Sequence, residues 1–416
     1  MNWMRNSESP FFSVIIPMYN VEDRIEIAVR GLQKQTCQDF EVHLVDDQST
    51  DRTLNVATSL CKGDSKFRVH ALSVNSGAGP ARNKGVEFAG GKYLLFHDAD
   101  DWLDKNALHS LKEHIEDQSY PDVTIFQYVV FNRNKEIILK TNKSIERLPR
   151  ELDGVSSFKA ICKGDLNPAT WNKVFKRSTW QENNLNFQAS FIYEDLAFIP
   201  YALLFMKTVT ICNDARYCYY HNAEGVTYEL SDRQAHASLA ALSGLQELLQ
   251  TSLYYPLILH DFTRLAFHTF HHNFFFADRK DSFTDQQIII YMENILRFCK
   301  NNSLKIVHVL SNDKALELIE ELFLQIRTRG LPQPKYELSF NEIEDLMDHY
   351  TVMARQVKLN LSYSGDLEQI QNDWLVKENT LTKRIRQLKR KNERLKRNFF
   401  YWFPQSIGYW FKKFKG

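Results

Sequence analysis

The chain has 416 residues, 44% of them hydrophobic and 25% charged, with 52 Lys and Arg against 51 Asp and Glu. It is too long for one compact core and too apolar for a disordered polymer, so two or three folded units are expected. The near-zero net charge hides an asymmetry: residues 377–416 carry thirteen Lys or Arg against Glu378 and Glu393, leaving a mildly acidic body and a basic end.

In chain order, residues 12–16 read as a β-branched strand, and 21–35 as a helix with Ile25, Ala28, Val29 and Leu32 on one face. A second strand over 41–45 and a helix over 53–60 lead to a third strand, 67–72. The helix over 80–88 opens near Pro80 and closes at Gly90-Gly91, and strand 93–96 follows. This alternation predicts an α/β fold: a mostly parallel sheet wound on both faces, with ligands beyond the carboxyl ends of its strands. Residues 105–116 read as helix and 123–131 as strand, with Asn132-Arg133-Asn134 a hairpin turn into 136–139. The stretch to about 227 is mixed, with short strands near 173–175, 208–211 and 217–220, and from about 230 the pattern is helical. The expected domains are 11–228, 229–362 and 363–416.

Phe96 runs directly into His97-Asp98-Ala99-Asp100-Asp101, three carboxylates in four positions at a strand's end. Such a cluster is costly unless a cation or hydrogen-bond donors offset it. Oxygen-only ligands suit a hard divalent ion, Mg2+ or Mn2+, that in turn holds something anionic. A solvated turn into the helix near Lys105 is the alternative. The loops after the first three strands suit a nucleotide. Tyr19, in Pro17-Met18-Tyr19-Asn20, could flank a base; Asp46, Asp47 and Asp51 could accept from a base N–H or a ribose hydroxyl. Asn75-Ser76-Gly77-Ala78-Gly79-Pro80-Ala81-Arg82-Asn83 is a glycine-containing approach to a helix, with an arginine for phosphate. Asp46 and Asp51 could equally cap the next helix, and Arg82 could pair with a neighbouring acid.

Taken in order, V-I-I-P-M-Y-N, V-D-D-Q-S-T-D, N-S-G-A-G-P-A-R-N and D-A-D-D resemble the family 2 glycosyltransferases of the GT-A fold, over residues 12–227. The resemblance implies a Rossmann-like GT-A domain followed by a mainly α-helical C-terminal region. It places Pro17, Tyr19 and Asp47 around the base of a nucleotide sugar, with Asn75 and Arg82 nearby. Asp98 would touch the ribose or donor sugar, and Asp100, with Asp98, would hold the Mn2+ or Mg2+ that bridges the diphosphate. Gln48 stands where the family usually has glycine.

Inverting transfer also needs a carboxylate to take the acceptor's proton during in-line attack. The pair Glu194-Asp195 lies between apolar flanks. In the family such a pair opens a helix under the acceptor, which implies Asp195 as general base and Glu194 as its helper. Simple placement of acids in a first helical turn is the structural alternative. Two further blocks resemble a subgroup that builds bacterial capsules, teichoic acids and lipopolysaccharide. Trp171, Asn172 and Lys173 would line the acceptor side, and His221 would approach the metal or diphosphate. Core packing competes for Trp171, and a structural role for His221.

The histidines of 267–276 sit among phenylalanines and read as packing rather than a metal site. From 366 onward, Leu367, Ile370, Trp374, Leu381, Ile385, Leu388, Leu395 and Phe399 recur at threes, fours and sevens. That is an amphipathic helix, with a short coiled coil as one option. Residues 399–416 mix bulky aromatics with lysines, which favours a lipid interface with anionic headgroups over nucleic acid. Six cysteines without a CxxC pair indicate reduced core thiols. No signal-like run opens the chain, and no apolar stretch reaches the roughly 18–20 residues of a membrane span. The sequence thus predicts a cytoplasmic enzyme, peripheral to the inner face of the membrane. It would move a sugar from a nucleotide-sugar donor, a UDP-sugar first, to a carbohydrate or lipid-linked acceptor; a homo-oligomer is left open. A sugar nucleotidyltransferase and an inactive relative serving membrane assembly are the rivals.

Overall fold

The computed structural model describes residues 9–132, 137–139, 143–188, 192–221 and 232–275, with 284, 285, 287 and 288. The chain divides into one unit of residues 1–304 and 308–336 and another of 305–307 and 337–416; all described residues belong to the first. The expected amphipathic helix and aromatic-lysine tail lie outside the described residues.

The first half runs β1 (Phe12–Met18), α1 (Ile25–Gln33), β2 (Phe40–Asp46), α2 (Thr53–Cys61), β3 (Phe67–Ala71), α3 (Ala78–Phe88) and β4 (Tyr93–Phe96). It continues through β5 (Trp102–Leu103), α4 (Ala107–Asp117), β6 (Val123–Phe131), β7 (Ile137–Leu139), α5 (Lys143–Glu146), β8 (Glu151–Leu152) and α6 (Gly154–Lys163). Then come β9 (Lys173–Lys176), α7 (Arg177–Glu182), α8 (Glu194–Leu203), β10 (Val209–Tyr220), α9 (Asp232–Gln250) and α10 (Tyr255–Phe275). Strands order β3-β2-β1-β4-β9-β6-β10-β5, with β7 beside β6 and β8 beside β10. Pairings β3-β2, β2-β1, β1-β4 and β6-β10 are parallel, while β9 runs antiparallel to both β4 and β6. The sheet is therefore the expected wound one, interrupted in its interior by the reversed β9, with β5, β7 and β8 also antiparallel to their neighbours.

Alternation along β1 feeds both faces, since successive side chains of a strand point to opposite sides. Val14 and Ile16 join a core with Ile25, Val29, Leu32 and Leu111 from α1 and α4. Ile15 turns the other way, into a core with Phe158, Phe198, Leu242 and Phe262, so α6, α8, α9 and α10 cover that face together. On the same side α3 approaches β1 through Gly85, where a Cβ would lie 2.3 Å from Ile15 Cγ2.

Three helices, α5, α6 and α7, were not anticipated, although α6 carries ordinary end signals. Asp153 accepts the Ser156 N–H at 2.6 Å, and Gly164 closes the helix at φ +80°. The two strands expected near 208–211 and 217–220 are one strand, β10, with a bulge between Cys212 and Arg216. Among the described residues, no helix is long and apolar enough to cross a membrane. Cys37, Cys61, Cys162, Cys212 and Cys218 are free thiols.

Candidate active site

Because β1, β2, β3 and β4 are parallel, the loops that follow them share one edge of the sheet. Asn20, left-handed at φ +50°, laces the first two together: its Oδ1 accepts the Thr50 N–H at 2.8 Å and its N–H donates to Ser49 Oγ at 3.1 Å. Pro17 lies on β1 and Tyr19 projects, 48% exposed, from the loop beyond it. Asp46 accepts from Ser49 N–H and Oγ within its own loop, and Asp51 accepts the Thr53 N–H at the start of α2.

Asp47 is buried and holds the third loop shut, its two oxygens accepting the Ser76 and Gly77 N–H groups at 2.8 and 2.7 Å. Asn75 donates back to the Asp47 carbonyl at 2.9 Å. Gly77, at φ +94°, makes the turn into α3 that aims those N–H groups at the carboxylate. Each carboxylate oxygen keeps a second acceptor position. Gln48 has φ +59°, the left-handed conformation that glycine takes most easily. Its side chain offsets that cost by donating to Ser73 O at 3.1 Å and accepting the Asn75 N–H at 3.0 Å.

The acidic loop after β4 is fixed from beneath. The Asp98 N–H donates to the buried Tyr217 hydroxyl at 3.0 Å, and Tyr217 stacks on Trp171, 4.7 Å between ring centroids. His97 is wholly buried, its Nδ1 2.7 Å from Asp98 O, and burial pulls it down to about 4, which keeps the ring neutral. Asp101 accepts the Tyr220 N–H at 2.7 Å, while its buried Oδ2 has no hydrogen-bond partner. Burial, then Asp100 and Asp98, push Asp101 well above the carboxylate range. Asp100 is raised by burial and by Asp98, against the opposing pull of Arg24 at 3.4 Å.

Arg82 joins this loop to α8. Its guanidinium donates to Asp98 Oδ1 at 3.0 Å and to Glu194 Oε1 at 2.5 Å, from a side chain only 5% exposed. Although burial opposes its charge, Glu194 and Asp98 hold it above the usual guanidinium range. Asp195 is pushed up to about 7, by burial first and by Glu194 second, against the Leu196 N–H and Arg82. The residues expected on the acceptor side are buried. Trp171 stacks on Tyr219 as well as Tyr217, and Asn172 donates to Phe126 O at 3.2 Å. Lys173 donates to Ala169 O at 2.6 Å, Asn167 O at 2.9 Å and Asn172 Oδ1 at 2.9 Å. Burial lowers its ammonium to about 7, with Asp195 pulling the other way.

The structure thus brings Arg82, Asp98, Glu194 and Asp195 together, with Asp100 on the same loop. His221 closes β10 against β6, its N–H donating to Phe131 O at 2.7 Å; Asn222 and the block at 225–227 lie outside the described residues. Among the described residues, no group of three or more His, Cys, Asp or Glu is arranged to hold a metal. The donor chemistry nonetheless suits a hard cation at Asp100, whose carboxyl is raised by burial and by Asp98 and only partly offset by Arg24 at 3.4 Å, a balance a divalent ion would redress. Sequence reasoning missed Tyr217, Arg24 and Asn83. Asn83, within the glycine-containing block, clasps the Phe187 backbone in both directions at 2.8 and 2.9 Å. Arg24 stands 76 positions from Asp100 and gives no local signal.

The wound α/β sheet thus carries a carboxylate loop and a second acid pair at one edge. The family model described as Glycosyl transferase family 2 matches residues 13–179. Among curated relatives, the chain is 27% identical over 219 residues to the uncharacterized glycosyltransferase EpsJ of Bacillus subtilis, covering 52% of this chain and 63% of that one. It is 29% identical over 220 residues to the poly(ribitol-phosphate) beta-glucosyltransferase of Bacillus spizizenii, covering 51% and 32%. Less than two thirds of each relative is spanned. Among solved structures, S. aureus TarS 1-349 in complex with UDP-GlcNAc superposes with a TM-score of 0.54 at 20% identity, over 78% of this chain and 93% of that one. At that identity the likeness is one of fold.

Proposed function

We propose that the chain is an inverting glycosyltransferase that moves a sugar from a UDP-sugar to a hydroxyl of a cell-surface polysaccharide or glycolipid. The observation that carries the reading is the single guanidinium of Arg82, bonded at once to Asp98 on the donor-side loop and to Glu194 beside Asp195. With Glu194 occupied by Arg82, Asp195 is the acid left to accept the acceptor's proton. Its environment holds it near neutrality, where a general base works best. Asp47, Asn75 and Tyr19 would border the base of the donor. Asp100, with Asp98 beside it, would hold Mn2+ or Mg2+, which when bound supplies positive charge for the departing diphosphate. The UDP-GlcNAc in the TarS complex supports a UDP-sugar, and the name of the ribitol-phosphate relative supports a surface polymer as acceptor.

The test is a thermal-shift panel of UDP-, GDP- and CDP-sugars with Mn2+, in which a bound donor raises the melting temperature by mass action. Asp195→Asn is expected to keep the UDP-sugar shift and to lose transfer by about a thousandfold or more. Asp100→Ala is expected to lose both the metal dependence and the transfer. Sugar incorporation left intact in both variants would refute the assignment. We further propose that the basic, aromatic end of the chain attaches the enzyme to the inner face of the membrane. Deleting residues 399–416 should then shift the protein from the membrane to the soluble fraction on cell fractionation, and an unchanged distribution would refute it.

A further inference from the structure

We propose that Arg82 is a positioning residue, a buried cross-brace that fixes the Asp98 loop against the Glu194-Asp195 end of α8, and that it does not touch the donor's phosphates. The inference rests on the glycosyl-transfer reading above. A phosphate-binding arginine must present its planar fork to the ligand. Here the fork is spent on two acids that lie 16 and 112 positions away in the chain. The guanidinium lies 5.6 Å from the Phe187 ring centroid, its remaining Nε is buried without a hydrogen-bond partner, and only 5% of the side chain is exposed, which leaves little of it for a diphosphate to reach.

The surrounding chain is built to hold this bracket. Asn83, the next residue, clasps Phe187. One turn earlier, a Cβ on Gly79 would come within 3.0 Å of Gln188 O and 3.1 Å of Phe187 Cβ, so α3 packs backbone-close on the segment that leads to α8. The brace also bears on the chemistry. Asp195 faces Glu194 and Asp98, which favour its proton, and Arg82 and Lys173, which oppose it. Lysine could supply the charge, yet it lacks the fork that spans two acceptors at a set separation.

The test compares the unaltered protein with Arg82→Lys and Arg82→Gln in three measurements: calorimetric titration with UDP and Mn2+, release of UDP from UDP-GlcNAc with water as acceptor, and the pH dependence of that release. The brace predicts a UDP Kd within about threefold of the unaltered value and, for Arg82→Gln, turnover lower by about a hundredfold. It also predicts that the midpoint of the rising limb moves to higher pH in Arg82→Gln and returns in Arg82→Lys, whose rate recovers only in part. A loss of UDP affinity of about tenfold or more, with turnover of bound donor unchanged, would overturn the brace in favour of phosphate contact. Melting curves establish that each variant folds. If Arg82→Gln alone does not, the double variant Arg82→Gln/Glu194→Gln removes the charge together with one of the acids it serves and carries the comparison of UDP affinity. Failure of the unaltered protein to bind any nucleotide would instead strike the transfer reading itself.

Discussion

Asp195 can accept a proton only when ionised, yet its surroundings hold the proton on up to about 7. Transfer is therefore expected to rise about tenfold per pH unit below that value and to level off above it, as read from kcat/KM against pH. The same shift has a cost in stability. The native state holds this proton more tightly than the unfolded chain, so the contribution of Asp195 falls as pH rises from the ordinary carboxylate range to about 7. In Asp195→Asn that part of the fall should vanish from melting temperatures measured across the window. The residues that the structure brings together, Arg82, Asp98, Glu194 and Asp195, lie in blocks that the sequence already sets apart. Their connections are not legible there. That Arg82 would close on two acids, or that Tyr217 would carry the Asp98 N–H, depends on pairings across 16 to 119 positions that no local pattern encodes. Lys173 shows the same limit: a charged side chain beside Trp171 reads as a surface contact, whereas carbonyl and amide oxygens accept every proton it offers inside the protein.

At the level of elements, the strands and helices through β6, the two-residue β5 apart, follow from periodicity and from Gly and Pro punctuation, and most boundaries fall within a few residues of expectation. The miss at α6 is instructive, because its cap at Asp153 and its stop at Gly164 are standard signals that were not weighed against a region of mixed pattern. Strand β9 was found, but not its direction, which is set by pairing with β4 and β6 rather than by its own four residues. The helix that organises the site, α3, depends on close approach to β1 at Gly85. Gly85→Ala places a methyl against Ile15 and is expected to cost about 1–3 kcal/mol, seen as a lower melting temperature in calorimetry. Weaker transfer should accompany it only to the extent that α3 shifts and carries Arg82 away from its two acids.

For the whole molecule, the division of labour expected at residue 229 meets a shared core. Leu242, Leu245, Phe262 and Phe267 pack with Phe158, Phe198 and Ile199 on one face of the sheet. A chain ending at residue 228 would expose that face, and it is expected to aggregate or to melt well below the full chain in side-by-side thermal denaturation. A stable, cooperative melt of the shortened chain would show that the later helices are separable. The reversed strand has a consequence for engineering. On either side of it, the rim of the catalytic edge is supplied by residues downstream of a strand. At β9 it is supplied by residues upstream, because Lys173 at the strand's beginning lies across from the end of β4. Exchanging strand-plus-following-loop cassettes between relatives would therefore sever this one wall from its support, and the cut has to fall before Asn167, whose carbonyl holds Lys173, for the graft to arrive whole.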